Sequence, residues 1–430
     1  MAMTIPAAFV LYQPILRIGL LSDDYALLMW ARRLELLPRD WGQIRPLPIV
    51  AWWLLAQVTS ATGTPAAIHA LNVALHGLNA LLVGVIAARL TTSRGAALAA
   101  AAIFLTMPVA VEPVAWGSGV FDVMLATFGL ALAIVATARS PLTGTDHALA
   151  LLLTIAMMAT QETGVIAAPL FLLLHWTRWG RLDRSAVTVG VAQALMAASY
   201  ALVRELTGRL DHRLTPRIDL DGITRLLSGI GRAFVVPLHR DVVVAHPLLA
   251  VGCAVCLVTV LAAWLVRCRH SPPAVRIAVL AAAGALLCVA PTIRLFGITS
   301  DLQGTRYVYL ASAWWSIALG SALLEGWRTP TTRVAAATVT VLVVLSAAIA
   351  TRAHLEPWTA ARRERDRILR QLISLPPSCR QVAATAATDN VDGAYVFRNG
   401  LNEALATLGR SFEWVDETRA TPECQVNLGR

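Results

Sequence analysis

Charged side chains are few in this chain and gather in short runs between long apolar stretches. The first such group is Asp23-Asp24, in Leu21-Ser22-Asp23-Asp24-Tyr25, directly after the first apolar segment. Adjacent carboxylates suit general-base chemistry, because a like charge raises the pKa of one member of a pair toward a useful value. Asp23 is the candidate base, with Asp24 orienting it or binding the acceptor. The same pair also fits a second role, a solvated turn at the end of a span. A charge at the bilayer centre costs about 2.5 kcal/mol or more, so either role puts the pair at an aqueous rim.

Other polar groups occupy comparable positions. Arg45 opens an apolar piece, Glu112 and Asp122 bracket the stretch MPVAVEPVAWGSGVFD, Glu162 follows a short span as its cap, and Arg306 precedes Tyr307 in GTRYVYLAS. Guanidinium matches phosphate in bidentate geometry, which makes Arg306 and Arg45 candidate phosphate binders. Glu112, Asp122, Glu162 and Tyr307 complete the candidate substrate-binding set. His69, Asn72, His76 and Asn79 repeat at helical spacing and are expected to tie spans together rather than to react.

These residues have to be held by membrane helices. The chain has 430 residues, 57% hydrophobic and 14% charged, with mean hydropathy +0.63, whereas soluble domains carry about 25% charged residues. The formal charge of +10 comes from arginine alone, and the arginines lie between apolar segments rather than on a nucleic-acid face, so no nucleic-acid partner is expected. The six cysteines form no Cys/His ligand set, and no metal site is read.

Apolar runs near 68–88, 95–107, 120–138, 147–160, 164–176, 185–203, 242–266, 274–292, 307–324 and 332–350, with the N-terminal segment, predict about eleven transmembrane helices. The runs at 95–107, 147–160 and 164–176 are short alone. The N-terminal run, Ile5 to Leu20, has no basic n-region and no small-residue cleavage site, so it is not a signal peptide. It spans with Arg17 snorkelling outward, or the true start lies upstream. Arginine-rich loops alternate along the chain, which predicts a cytoplasmic N-terminus. Pro46 to Val58 must then lie along the outer leaflet instead of spanning. The segment Arg204 to Asp241 is an outer loop, with a membrane-parallel helix from Asp221 that ends before Pro237.

After Arg352 the hydropathy falls. Leu355 to Leu375 reads as a charged amphipathic helix. Strands are expected at Gln381 to Ala387, Ala394 to Phe397, 412–415 and 425–428, with a helix at Asn402 to Leu408. The fold class is therefore an all-α polytopic membrane protein (residues 1–352) with a small extracytoplasmic α/β tail (residues 353–430). Cys379 and Cys424 flank the tail on the oxidising side, which predicts a disulfide, the alternative being two unpaired thiols.

Ile44-Arg45-Pro46-Leu47, His69-Ala70-Leu71-Asn72 and Leu75-His76-Gly77-Leu78-Asn79-Ala80 resemble the multi-span C-type (GT-C fold) glycosyltransferases. The likeness is to the branch of the Tmtc-type O-mannosyltransferases and their bacterial relatives. That branch is similar in its acidic pair, matched by Asp23-Asp24. Its second loop, HPxxxExVAWxxGRxD, is matched at Pro108, Glu112, Trp116, Gly119 and Asp122. Its KE pair falls on Gln161-Glu162 and its RYxYLPS segment on Arg306 to Ser312. Met107, Val120, Gln161 and Ala311 replace the His, Arg, Lys and Pro of those motifs. The string Gly393 to Leu405 resembles the tails of some bacterial members.

The resemblance implies an inverting glycosyltransferase of the bacterial inner membrane. Its donor is a polyprenyl-phosphate sugar held in the lipid bilayer, its acceptor is extracytoplasmic and unspecified, and it uses no cofactor, although the acid cluster leaves room for a divalent ion. Two other readings of the residues stay open. One is a transporter or flippase of lipid-linked sugar, the other a catalytically inactive scaffold that presents the tail.

Overall fold

The computed structural model describes residues 3–38, 43–60, 63–91, 93–209, 220–293, 297–324, 330–384, 387–415 and 421–428. The middle of the expected outer loop Arg204 to Asp241 lies outside them. In chain order the helices are α1 (Thr4–Tyr12), α2 (Asp24–Arg33), α3 (Pro46–Val58), α4 (Thr64–Thr91), α5 (Arg94–Thr106), α6 (Val111–Ala115), α7 (Val120–Ala136), α8 (Gly144–Thr160) and α9 (Ala167–Trp179). There follow α10 (Arg184–Leu206), α11 (Leu220–Ile230), α12 (Arg240–Ala245), α13 (Pro247–Cys268), α14 (Pro272–Val289), α15 (Tyr309–Leu324), α16 (Pro330–His354), α17 (Glu356–Ile373) and α18 (Leu401–Thr407).

Among the described residues, six helical segments are long and apolar enough to cross a membrane, or seven if the bent pair Arg94–Thr106 and Pro108–Ala115 counts as one span. About eleven were expected. The difference lies in the runs that were short in sequence, in the N-terminal segment and in the run at 242–266, which breaks at His246-Pro247 into α12 and α13. Pro108 ends α5 with a bend of 51°, because proline disfavours helix at the preceding residue. At Gln161 the backbone turns extended and ends α8. The N-terminal run is a short helix followed by a 3-10 turn, Gln13–Arg17.

The expected outer loop from Met107 to Asp122 folds into a 3-10, α and 3-10 series that is buried throughout. Pro108 and Pro113 prevent one continuous helix there. Gly119 is required at its end, since a Cβ would sit 2.1 Å from the Pro113 carbonyl oxygen. Around this knot α4, α5, α7 and α15 form the packed centre. Gly320 of α15 lies against the α5 backbone, where a Cβ would meet Ala96 O and Ala100 N at 2.8 Å.

Helix α3 has the bounds its apolar pattern predicted, and α11 continues as a π turn, Gly231–Val235, that ends before Pro237. The charged helix appears as α17. Beyond it, β1 (Gln381–Ala384), β2 (Asn390–Val391), β3 (Ala394–Tyr395), β4 (Glu413–Trp414) and β5 (Gln425–Val426) make two small sheets. One is parallel in the order β4-β1-β5, and the other is the β2-β3 hairpin. Asp392 and Gly393, both at positive φ, turn the hairpin, as a tight two-residue turn requires. Cys379 and Cys424 are bonded to each other across 45 residues.

Candidate functional site

The densest polar cluster is centred on Arg306, in the 3-10 turn that leads into α15. Its Nη1 donates to Glu112 Oε1 at 2.9 Å and to the Tyr395 hydroxyl at 2.8 Å, and its Nη2 donates to the Tyr307 hydroxyl at 3.1 Å. The Arg306 backbone N–H and the Thr305 hydroxyl donate to Glu112 Oε2 at 3.2 and 3.3 Å. The guanidinium also lies over the rings of Trp116 and Tyr307, at 5.0 and 4.8 Å from their centroids. Glu112 is buried, and the arginine offsets the large cost of a buried carboxylate.

Two further groups flank this pair. Asp122, in the first turn of α7, accepts from Gln161 Nε2 at 3.1 Å and lines a small cleft with Gln161, Thr163, Arg306 and Tyr307. Gln161 stands where the resembled family carries lysine, and it keeps a donor on Asp122 without the charge. Arg45 grips Glu162 Oε2 through Nε at 2.9 Å and Nη2 at 2.6 Å. Glu162 is thus the ion partner of Arg45, not the helix cap its position in the sequence suggested. Burial acts to raise its pKa, but the charge and hydrogen bonds of Arg45 outweigh this and hold the carboxyl below its usual range. On the other side of Glu112 is a small pocket with His239, Asp301, His354 and Trp358 on its walls.

The acidic pair divides. Asp24, the first residue of α2, is fully buried. Its Oδ2 accepts from the Leu21 N–H at 2.9 Å, and its Oδ1 accepts from the N–H and the hydroxyl of Ser118, both at 2.6 Å. Burial pushes its pKa to about 7, against the Ser118 and Leu21 hydrogen bonds that act to lower it, with Asp23 the smallest contributor. The like-charge effect expected from sequence is therefore minor, and Asp24 is a strut between the first turn and the second. Asp23 is only half-buried, and its Oδ1 accepts from Asn399 Nδ2 at 2.7 Å.

Several elements hold the turn before Asp23. Arg365 of α17 donates to the carbonyls of Ile18 and Leu20 at 2.9 and 2.8 Å. Trp116 Nε1 donates to the Leu21 carbonyl at 3.3 Å, and His69 bonds the Gly19 carbonyl at 2.9 Å. The His/Asn stripe behaves as packing glue: Asn72 donates to the Trp116 carbonyl, His76 bonds the Tyr309 hydroxyl, and Asn79 donates to the Val123 carbonyl. Sequence reading did not single out Ser118, Arg365, Tyr395 or Asn399. The last two lie in the tail string that was noticed only as a resemblance.

Among the described residues, no group of three or more His, Cys, Asp or Glu side chains could hold a metal ion. Below the site, α13, α15 and α16 border an apolar groove of about 410 Å³. Met107 and Pro108 are part of its wall, and Pro108 also lines the small pocket beside Glu112.

No family model and no curated protein matches the chain. Among solved structures, ArnT from Cupriavidus metallidurans, bound to undecaprenyl phosphate, aligns with TM-score 0.49 and 15% identity, over 97% of this chain and 90% of that one. An Archaeoglobus fulgidus oligosaccharyltransferase tethered to an acceptor peptide aligns with TM-score 0.48 and 12% identity, over 87% of this chain. The oligosaccharyltransferase AglB from Archaeoglobus fulgidus, in complex with an inhibitory peptide and a dolichol-phosphate, gives 0.47 and 14%, also over 87%. The chain spans only 57% and 58% of the length of these two archaeal proteins. Likenesses of this extent do not define a family or an activity.

Proposed function

We propose that this chain is an integral-membrane glycosyltransferase that moves a monosaccharide from a polyprenyl-phosphate donor to an extracytoplasmic acceptor. One observation carries the reading: an apolar groove and a small pocket lined by Glu112 share Pro108 as a wall, and Glu112 is the ion partner of Arg306. The apolar wall suits a prenyl chain, and the Arg306 guanidinium beside Glu112 suits a phosphate. The resemblance of Asp23-Asp24, Glu112 and Arg306 to the GT-C motifs supports the same assignment.

In this mechanism the Asp23 carboxylate takes the proton of the acceptor hydroxyl. The acceptor oxygen attacks the anomeric carbon from the face opposite the phosphate, the carbon–oxygen bond to phosphate breaks, and the configuration inverts. Polyprenyl phosphate leaves with the bond's electron pair, and Arg306 meets its charge, exchanging a contact with Glu112, Tyr395 or Tyr307 for a phosphate oxygen. The site and tail face away from the cytoplasm, in keeping with the arginine alternation and the Cys379–Cys424 disulfide. Reporter fusions after Arg184 and Gly400 should read inside and outside, respectively.

The experiment is transfer from a panel of undecaprenyl-phosphate monosaccharides in membranes with matched expression. Asp23→Asn should lower turnover by about 10²–10⁴-fold while undecaprenyl phosphate still binds. Wild-type turnover in that variant would remove Asp23 from the mechanism. One observation favours a second reading, an inactive scaffold: Arg306 is already engaged by Glu112, Tyr395 and Tyr307. A scaffold consumes no donor from the panel, and a transporter would move donor without forming a glycosidic product.

A further inference from the structure

The tail does not simply hang from α16. Its stretch Gly393 to Gly400 crosses the candidate site and touches both of its chemical halves. At one end Asn399 Nδ2 donates to Asp23 Oδ1 at 2.7 Å, and the Asn399 N–H donates to Ser22 Oγ at 3.3 Å. Between them the Ser22 N–H donates to the Val396 carbonyl at 2.9 Å. At the other end the Tyr395 hydroxyl donates to Glu112 Oε1 at 3.0 Å and accepts from Arg306 Nη1 at 2.8 Å. The Tyr395 ring packs on Trp116 with centroids 4.6 Å apart.

The stretch is pinned by glycines at both ends. Gly400 has φ +83°, and a Cβ there would come within 2.2 Å of the Ser22 carbonyl oxygen. Gly393 has φ +88°, with the Asp301 carbonyl oxygen 2.7 Å from where its Cβ would be. A side chain at either end would lift the segment off the turns at Ser22 and Asp301, so these backbones meet only because both positions are glycine.

We propose that this segment is a wall of the active site, with Asn399 the positioning residue of Asp23 and Tyr395 the positioning residue of the Arg306–Glu112 pair. The proposal rests on the glycosyltransferase reading above. Docking alone could be achieved by apolar contact, such as Phe397 stacked on Tyr25. Polar contacts that end on the candidate base and on the candidate phosphate binder do something further. Asn399 fixes the rotamer of Asp23 and leaves Oδ2 for the acceptor hydroxyl. Tyr395 bridges arginine and glutamate, and so sets the direction of the guanidinium. Tyr395 ends β3 and Asn399 lies four residues on, in the bend that follows, so one short segment reaches both the base and the phosphate binder.

Kinetics of the full-length protein in membranes test this, with whichever undecaprenyl-phosphate monosaccharide of the panel it consumes and with undecaprenyl phosphate as binding probe. Asn399→Ala should lower kcat roughly 10- to 100-fold, the scale of a hydrogen bond to a charged group, with donor KM unchanged. Asn399→Gln should recover part of that loss. In an Asp23→Asn background, Asn399→Ala should change nothing further, since the group it acts through is already disabled. Tyr395→Phe should raise donor KM and weaken undecaprenyl phosphate binding about 3- to 10-fold, with kcat little affected. Hydrogen exchange of the 393–400 peptide, unchanged in Asn399→Ala and Tyr395→Phe, would show that the segment is still docked. Wild-type kinetics in both variants, with Asp23→Asn dead, overturn the wall and leave the glycosyltransferase reading intact. Full additivity of Asn399→Ala with Asp23→Asn overturns the positioning role. Wild-type turnover in Asp23→Asn, or no turnover with any panel member, overturns the underlying reading and this proposal with it.

Discussion

Helices α15 and α16 follow one another in sequence and could hardly be used more differently. In the span that contains α15, 83% of the most apolar window is buried inside the protein, against 17% in the span that begins in α16. The buried helix is also the less apolar of the two. In a bilayer the hydrocarbon outside is as apolar as any core, so apolarity marks the lipid-facing surface, and the packed centre is built from small and hydroxylated residues. In α15 the Ser312, Ser316 and Ser321 hydroxyls donate to carbonyls of their own helix, and Gly320 lets the α5 backbone approach. The polar site stands at the end of this packed centre. The groove is walled in part by the looser helices, α13 and α16.

The contrast is broken most severely at the end of the packed centre. Arg306→Ala strands the buried Glu112 carboxylate, and removing one partner of a buried pair costs about 3–5 kcal/mol. Thermal unfolding in detergent should show that loss, with donor binding lost alongside it. A stable variant would mean that Glu112 finds water or another partner.

The next effect in size is one of pH. The folded-state pKa of Asp24, about 7, lies above its ordinary value of 3.8. Between the two values the folded protein keeps a proton that the unfolded chain has lost. The contribution of Asp24 to stability is therefore full below about pH 4, falls as pH rises toward 7, and is flat above that. The total is on the order of a few kcal/mol. Unfolding measured across this range should show that fall in the wild type, and Asp24→Asn should abolish that component. An identical pH profile in the variant would assign the titration to another group.

The smallest effects come from one pair of substitutions that addresses the two regions directly. Gly320→Ala, with backbone at 2.8 Å, should destabilise by about 1–3 kcal/mol through overpacking. Gly252→Ala on α13 meets nothing within 4 Å and should stabilise by up to about 1 kcal/mol through helix propensity. Equal effects at both positions would erase the distinction between packed centre and loose wall.

Much of the architecture was legible because it is written locally. The bounds of α3, the amphipathic α17, the end of α11 before Pro237 and the partnership of Cys379 with Cys424 follow from apolar runs, helix breakers and flanking positions. Span number was less legible, since a bend at Pro108 or an extended Gln161 shortens a run that composition alone would extend. The pairings of the site were not legible at all. Arg45 meets Glu162 across 117 residues, Arg306 meets Glu112 across 194, and Asn399 meets Asp23 across 376. The sequence by itself determined that acids and arginines would be kept out of the middles of the long apolar helices, because hydrocarbon excludes charge wherever the chain spans it. Only helix packing decided that Asp24 is enclosed by Leu21 and Ser118 while its neighbour Asp23 meets the tail, because hydropathy is a property of neighbours along the chain and burial is a property of neighbours in space.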